Sequence, residues 1–356
     1  MRRLIIASMR GSAGKTSVIV GLGRAIEKKI GYLKPFGDRL LYRKKRLWDY
    51  DAALVANIFG LKDNPEEMSV GFDHSKLRFM YDKKSTKEKL LEMLSHIESD
   101  KDFVCIEGGR DMAHGMSVHL DAVALAKYVD ATLVIVISGD EGTILDDAAF
   151  IKNHLDLEGI RFGGVIINKV HDIEDFKSTY VAGIEELGTP VLGVIPYAKE
   201  LTSLSLGFLS EALFAKLIAG EEGLDRVVRN IFVGAMSTDA ALRNPFFGKE
   251  DKLVITPGDR SDMILAAMEA GAVGIVLTNN IFPPSNIISM AAERKVPLLL
   301  VPTDTFQTSK QVDDLERLLT KDEPQKIELL GRLARENIDL KAVIGTGNRP
   351  GARTGA

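Results

Sequence analysis

Near the start of the chain, Met9-Arg10-Gly11-Ser12-Ala13-Gly14-Lys15-Thr16-Ser17 stands between an apolar run at 4–8 and the helical run Val18-Ile19-Val20-Gly21-Leu22. Strand, glycine turn and helix in that order suit a phosphate chain. Glycines let successive backbone N–H groups curl around phosphate oxygens, and the helix start adds partial positive charge. Lys15 then reaches the terminal phosphates, and the Thr16 hydroxyl can ligate Mg²⁺. A mere glycine turn is a poor explanation, because a lysine in the first helical turn opposes the macrodipole by ~0.3–1 kcal/mol. Moreover, Arg2, Arg3, Arg10, Lys15 and Arg24 all precede the first acid, Glu27. Another segment or a ligand must supply the negative charge, and the expectation is a nucleotide held by Arg10, Gly11, Ser12, Ala13, Gly14, Lys15, Thr16 and Ser17.

A phosphate loop needs acidic partners. Phe103-Val104-Cys105-Ile106-Glu107-Gly108-Gly109 delivers a carboxylate to the end of a buried strand, where ligands of α/β sheets sit. Glu107 is therefore expected to hold Mg²⁺ directly or through water. Asp49 and Asp51 open a helix, where capping alone would explain either acid. Asn168, after Gly164-Val165-Ile166-Ile167, can donate and accept, matching the N6/N7 edge of adenine, and the Lys169 stem could cover the ring; a turn-forming Asn is the other reading. Tyr197 either packs near the base or caps a strand. The basic run from Arg39 to Arg46 fits a solvated loop or a lid, and His114 and His119 read as loop histidines.

Stepping outward, short β-branched runs at 4–8, 31–34, 103–106, 131–137, 163–167 and 191–195 alternate with helical patterns, predicting βαβ units and a mostly parallel sheet over residues 1–200. A helical connector is expected over 201–228, with Leu206, Leu209, Leu213 and Leu217 on one face. A smaller α/β domain follows over 229–322, then a C-terminal helix over 323–338 and a flexible tail over 339–356. The 356 residues carry 46 Lys plus Arg against 50 Asp plus Glu, a net −4 that offers no global field for nucleic acid or anionic lipid. No run of 18 apolar residues exists, and the single cysteine excludes a disulfide framework, so no membrane partner and a reducing cytoplasm are expected.

These motifs carry a resemblance. Residues 1 to about 200 resemble the dethiobiotin-synthetase-like P-loop domain at the N-terminus of long phosphate acetyltransferases, through Gly11-Ser12-Ala13-Gly14-Lys15-Thr16, Gly31-Tyr32-Leu33-Lys34-Pro35, Asp51-Ala52-Ala53-Leu54, Glu107-Gly108-Gly109 and the run to Asn168. Residues 230–320 resemble the DRTGG domain that follows it there, through Ile255-Thr256-Pro257-Gly258-Asp259-Arg260-Ser261-Asp262, although the five-residue namesake is absent. The P-loop half is also similar to the ATPase domain of cobyrinic acid a,c-diamide synthases. The resemblance implies a P-loop NTPase α/β fold, Mg-ATP as ligand, Asp51 as a second metal-side carboxylate and pairing of chains. It also places Arg10 where septum-site ATPases of this group carry a lysine that reaches the partner's nucleotide. A solvated or phosphate-steering arginine explains Arg10 equally well.

Two functions fit. In one, the chain is a nucleotide-responsive regulatory or sensor protein whose second domain reads out the state or binds a second small molecule near Gly258–Ser261, a turn that capping explains nearly as well. In the other, it is an ATP-dependent ligase that activates a carboxylate or carbamate, with Lys15, Glu107 and Lys34 as its catalytic set and Lys34 facing the acceptor. No acetyltransferase domain is expected, since the stretch after about residue 320 is too short to hold one, and no glutaminase nucleophile, since Cys105 lies in an apolar strand.

Overall fold

The computed structural model describes residues 2–43, 46–313, 315, 319–321 and 323–345. The chain divides into two compact units, one combining Met1–Ala198 with Leu319–Ala356, the other Lys199–Leu318.

In the first unit the strands are β1 (Arg2–Ser8), β2 (Ile30–Leu33), β3 (Leu40–Arg43), β4 (Arg46–Asp49), β5 (Phe103–Glu107), β6 (Thr132–Ile137), β7 (Arg161–Val170) and β8 (Val191–Pro196). Six of them form one sheet in the order β2-β5-β1-β6-β7-β8, every neighbouring pair parallel. The β-branched runs are buried on both faces, as in the Leu133–Ile137 stretch, because helices cover both sides of such a sheet. With β5 and β6 flanking β1, the chain leaves the centre in both directions, and the crevice beyond the carboxyl end of β1 is where ligands of doubly wound sheets bind. Helix α1 (Lys15–Ile26) begins at that crevice and helix α2 (Tyr50–Phe59) follows the β3–β4 hairpin. The hairpin takes up the basic run, of which Lys44 and Lys45 lie outside the described residues.

The end of the chain differs from expectation. Helix Pro324–Asn337 lies against α1: a Cβ on Gly21 would stand 2.9 Å from the Leu330 carbonyl oxygen, and one on Gly331 2.8 Å from Arg24 Cβ. Ile338 bridges to Gly193 of β8, Asp339 N donates to Leu192 O at 2.8 Å, and Asp339 caps a further helix, Leu340–Ile344. The Arg2 guanidinium then holds the Gly345 carbonyl at 2.6 Å. The segment expected to be loose from 339 is thus ordered to 345, because the edge of β8 and Arg2 satisfy its backbone; residues 346–356 lie outside the described residues.

In the second unit the strands are β9 (Leu204–Ser205), β10 (Lys216–Ala219), β11 (Val227–Val228), β12 (Asn230–Val233), β13 (Lys252–Pro257), β14 (Gly274–Thr278) and β15 (Leu298–Leu300). Five form a sheet ordered β10-β15-β14-β13-β12, with β12 to β15 mutually parallel and β10 antiparallel at the edge. Its two faces bury separate clusters, one around Val254, Ile264, Ile275 and Leu298, the other around Leu206, Leu209, Ile255 and Val276. The expected helical connector is corrected here. Only Leu206–Ala212 is α-helical; Phe214 adopts a left-handed φ of 51° that ends the turn, and Leu217 continues in the edge strand β10.

Candidate functional site

The loop after β1 wraps the start of α1. Ser12 and Gly14 take positive φ values of 57° and 96°, and the first turn of α1 has neither a side-chain cap nor an acidic residue. Helix-start N–H groups without a side-chain cap are available to an anion. Glycine is obligatory at position 14, where a Cβ would stand 2.4 Å from Asn168 Nδ2.

Lys15 is only 8% exposed, and its ammonium donates to Ser8 Oγ at 2.9 Å and to the Arg110 carbonyl at 3.1 Å. No carboxylate lies within ion-pair distance of it among the described residues. Burial lowers its pKa against the pull of Glu107. Thr16 Oγ1 donates to Glu107 Oε1 at 3.1 Å, so the strand end of β5 and the first turn of α1 meet. Tyr32 of β2 donates its hydroxyl to the other oxygen, Oε2, at 2.8 Å. Burial pushes Glu107 up to about 7 although Lys34 pulls the other way, and it raises the Tyr32 phenol well above its ordinary range.

The early cations are, however, largely counter-charged from elsewhere in the chain. Arg3 forks onto Glu98 at 2.5 and 3.2 Å, and Arg10 forks onto the buried Asp147 at 2.9 and 3.2 Å. Of the two sources of negative charge expected, another segment or a ligand, folding supplies the first to Arg3 and Arg10, with partners 95 and 137 residues away, and Lys15 is the buried cation of this group left without a carboxylate.

Lys34 also differs from expectation. It is 1% exposed and does not face open space; its ammonium lies 2.5 Å from Asp51, 2.7 Å from Asp38, 3.4 Å from Asp49 and 3.7 Å from Glu107. Burial alone would lower its pKa, but the four carboxylates outweigh it and raise it. Asp51, held by Lys34 and by Arg39 at 3.2 Å, is lowered despite burial, whereas burial raises Asp49. Asp49 caps α2 by accepting from Asp51 N and Ala52 N, and also accepts from the N–H groups of Asp38 and Arg39 at 3.0 Å. Asp38, Asp49 and Asp51 therefore converge, with ligand oxygens within 4.8 Å of one another. Asp51, expected as a second metal-side carboxylate, is instead paired with Lys34 and Arg39, which leaves Thr16 and Glu107 as the residues that could hold a hard cation. Sequence reading missed Asp38 and Asp147, which carry no local motif, and gave Tyr32 no role although it lies in the Gly31–Pro35 motif.

Asn168, expected at a purine edge, is committed to the loop: Nδ2 donates to Ala13 O at 2.9 Å and Oδ1 accepts from Lys169 N at 3.0 Å. Lys169 Nζ donates to Ser12 O at 2.7 Å, so the end of β7 braces the phosphate loop. Tyr197 stacks on His171 at 4.5 Å, and His114 stacks on Phe36 at 4.6 Å. Cys105 is fully buried and its thiol is pushed up to about 12, which disfavours a nucleophile. In the second unit, Arg260 is committed to Asp262 at 3.0 and 3.1 Å and to the Met236 carbonyl at 3.1 Å, so it braces the turn around Gly258.

A model of an AAA domain matches residues 2–205, and a DRTGG domain model matches residues 209–315. Among curated proteins, the chain is 27% identical over 362 residues to the phosphate acetyltransferase of Synechocystis sp., covering 96% of this chain and 51% of the relative. The phosphate acetyltransferase of Pseudomonas aeruginosa is 25% identical over 375 residues, with 96% and 51% covered. The chain spans about half the length of these relatives. A solved structure of the CBS and DRTGG domains of the regulatory region of Clostridium perfringens pyrophosphatase, complexed with its activator diadenosine tetraphosphate, matches at 23% identity and a TM-score of 0.28 over 32% of this chain and 47% of that one. By the match over residues 2–205, the chain belongs to this AAA-domain family, and it carries a DRTGG domain behind it.

Proposed function

We propose that the chain binds Mg-ATP at the β1–α1 loop and acts as a nucleotide-responsive regulatory or sensor protein. The observation that carries this reading is Lys15: a buried ammonium without a carboxylate partner among the described residues, at an uncapped helix start, beside the Thr16–Glu107 pair. A buried charge so placed is costly unless an anion completes it. Lys15 and the loop N–H groups would hold the phosphates, and Thr16 with Glu107 would hold Mg²⁺, which supplies charge neutralisation of the phosphate oxygens when bound.

The regulatory half of the proposal is supported by resemblance to about half the length of phosphate acetyltransferases and by the DRTGG domain. It is favoured over the carboxylate- or carbamate-activating ligase because Lys34, the residue a ligase would turn toward its acceptor, is enclosed by carboxylates. Self-association, a cytoplasmic location and a second small ligand of the DRTGG domain belong to the same proposal; no helix among the described residues is long and apolar enough to cross a membrane.

The test is calorimetry with Mg-ATP. Binding is expected in the native chain, with at least a 100-fold loss in Lys15→Ala, on the order of a buried charge-assisted contact. ADP accumulating only when a particular carboxylate or amine is added would transfer the case to the ligase.

A further inference from the structure

We infer that Arg110 is a ligand-contacting residue of this loop, its guanidinium reading the terminal phosphate and so distinguishing ATP from ADP; the inference rests on the nucleotide reading above. Arg110 follows Glu107-Gly108-Gly109 at the end of β5. Gly108 N donates to Ile6 O at 3.0 Å, and a Cβ on Gly108 would stand 3.3 Å from that of Ala7, so this turn is pressed against the end of β1. The close approach carries the Arg110 backbone to Lys15, and its carbonyl accepts from Lys15 Nζ at 3.1 Å and from Ser8 Oγ at 3.4 Å.

The side chain then runs along the loop itself. A Cβ on Gly11 would meet Arg110 Cγ at 3.4 Å and Cδ at 3.8 Å, which makes the methylene stem part of the loop's surface. The head group is loosely held. It is 68% exposed, and its Nε reaches Asp111 Oδ2 only at 3.5 Å, while the other oxygen of Asp111 accepts from Ala113 N and His114 N at 3.0 Å each. Arg10, the other arginine of the loop, is held at 2.9 and 3.2 Å by a buried aspartate. Of the two, Arg110 has the guanidinium that can turn onto a ligand without leaving a buried carboxylate unpaired. A planar fork on the surface of the loop that carries Lys15 offers paired donors to the additional oxygens that a third phosphate brings.

The experiment compares Mg-ATP and ADP affinities by calorimetry in the full chain, in Arg110→Gln and in Arg110→Lys. Arg110→Gln is expected to weaken ATP about tenfold or more while ADP changes less than about twofold, with Arg110→Lys between the native chain and Gln. An unchanged melting temperature without nucleotide shows that the fold is kept, as expected for an exposed side chain. Equal losses for ATP and ADP, or no loss for either, would overturn the role of Arg110 and leave the nucleotide site standing. A native chain that binds neither nucleotide would remove that site and the role of Arg110 together.

Discussion

At Lys34 one ammonium is enclosed by Asp38, Asp49, Asp51 and Glu107, and that enclosure makes it structural before it is anything else. Lys34→Ala leaves buried carboxylates facing one another, and a loss of about 3–5 kcal/mol is expected in urea unfolding. Glu107 gives a pH signature. Burial lifts it from an ordinary 4.5 to about 7, so between those values the folded protein binds more protons than the unfolded chain, and stability falls as pH rises through that window. Urea midpoints measured from pH 4.5 to pH 7 are expected to show this decline, and Glu107→Gln to flatten it by up to ~1.4 kcal/mol per pH unit. Lys15, Thr16 and Glu107 were legible in the sequence because a strand, a loop and a helix in succession fix where they go. Tyr32 was not, since only the pairing of β2 with β5 brings its hydroxyl to Glu107, and neither was Asp38, which joins the site through the Lys34 ammonium.

Among the elements, α1 depends on glycines for reasons unrelated to ligands. At Gly21 an added methyl would press on the Leu330 backbone at 2.9 Å, which cannot yield as a flexible side chain would. Gly21→Val is expected to destabilise the first unit by about 1–3 kcal/mol in thermal or urea unfolding. Gly258 is more extreme: a Cβ there would fall 1.7 Å from the Ile281 carbonyl oxygen. Gly258→Ala should therefore lower the stability of the second unit by a comparable or larger amount, read by proteolysis of that unit, although its backbone needs no positive φ. The motif around Gly258 attracted a ligand reading from sequence. The structure explains the glycine by the close approach of two loops, and Arg260 by its aspartate and a carbonyl.

At the scale of the molecule, the first unit is discontinuous: the chain leaves it at Ala198 and returns at Leu319. The returning helix Pro324–Asn337 covers α1, and Ile338 with Asp339 pairs with β8. Ending the chain at residue 318 is expected to uncover that apolar face, lower the melting temperature of the first unit and raise binding of a hydrophobic dye.

The sequence by itself determined the local matters: six buried strands, the glycine loop between the first of them and its helix, and the acid at the end of β5. These follow from hydrophobic period and backbone chemistry within a dozen residues. Only the tertiary structure decided which charges are spent and which remain. Ion pairs form wherever packing brings opposite charges together, however far apart they lie in the chain, so Arg10 found Asp147, Lys34 found its carboxylates, and Lys15 alone of these three was left to a hydroxyl and a carbonyl.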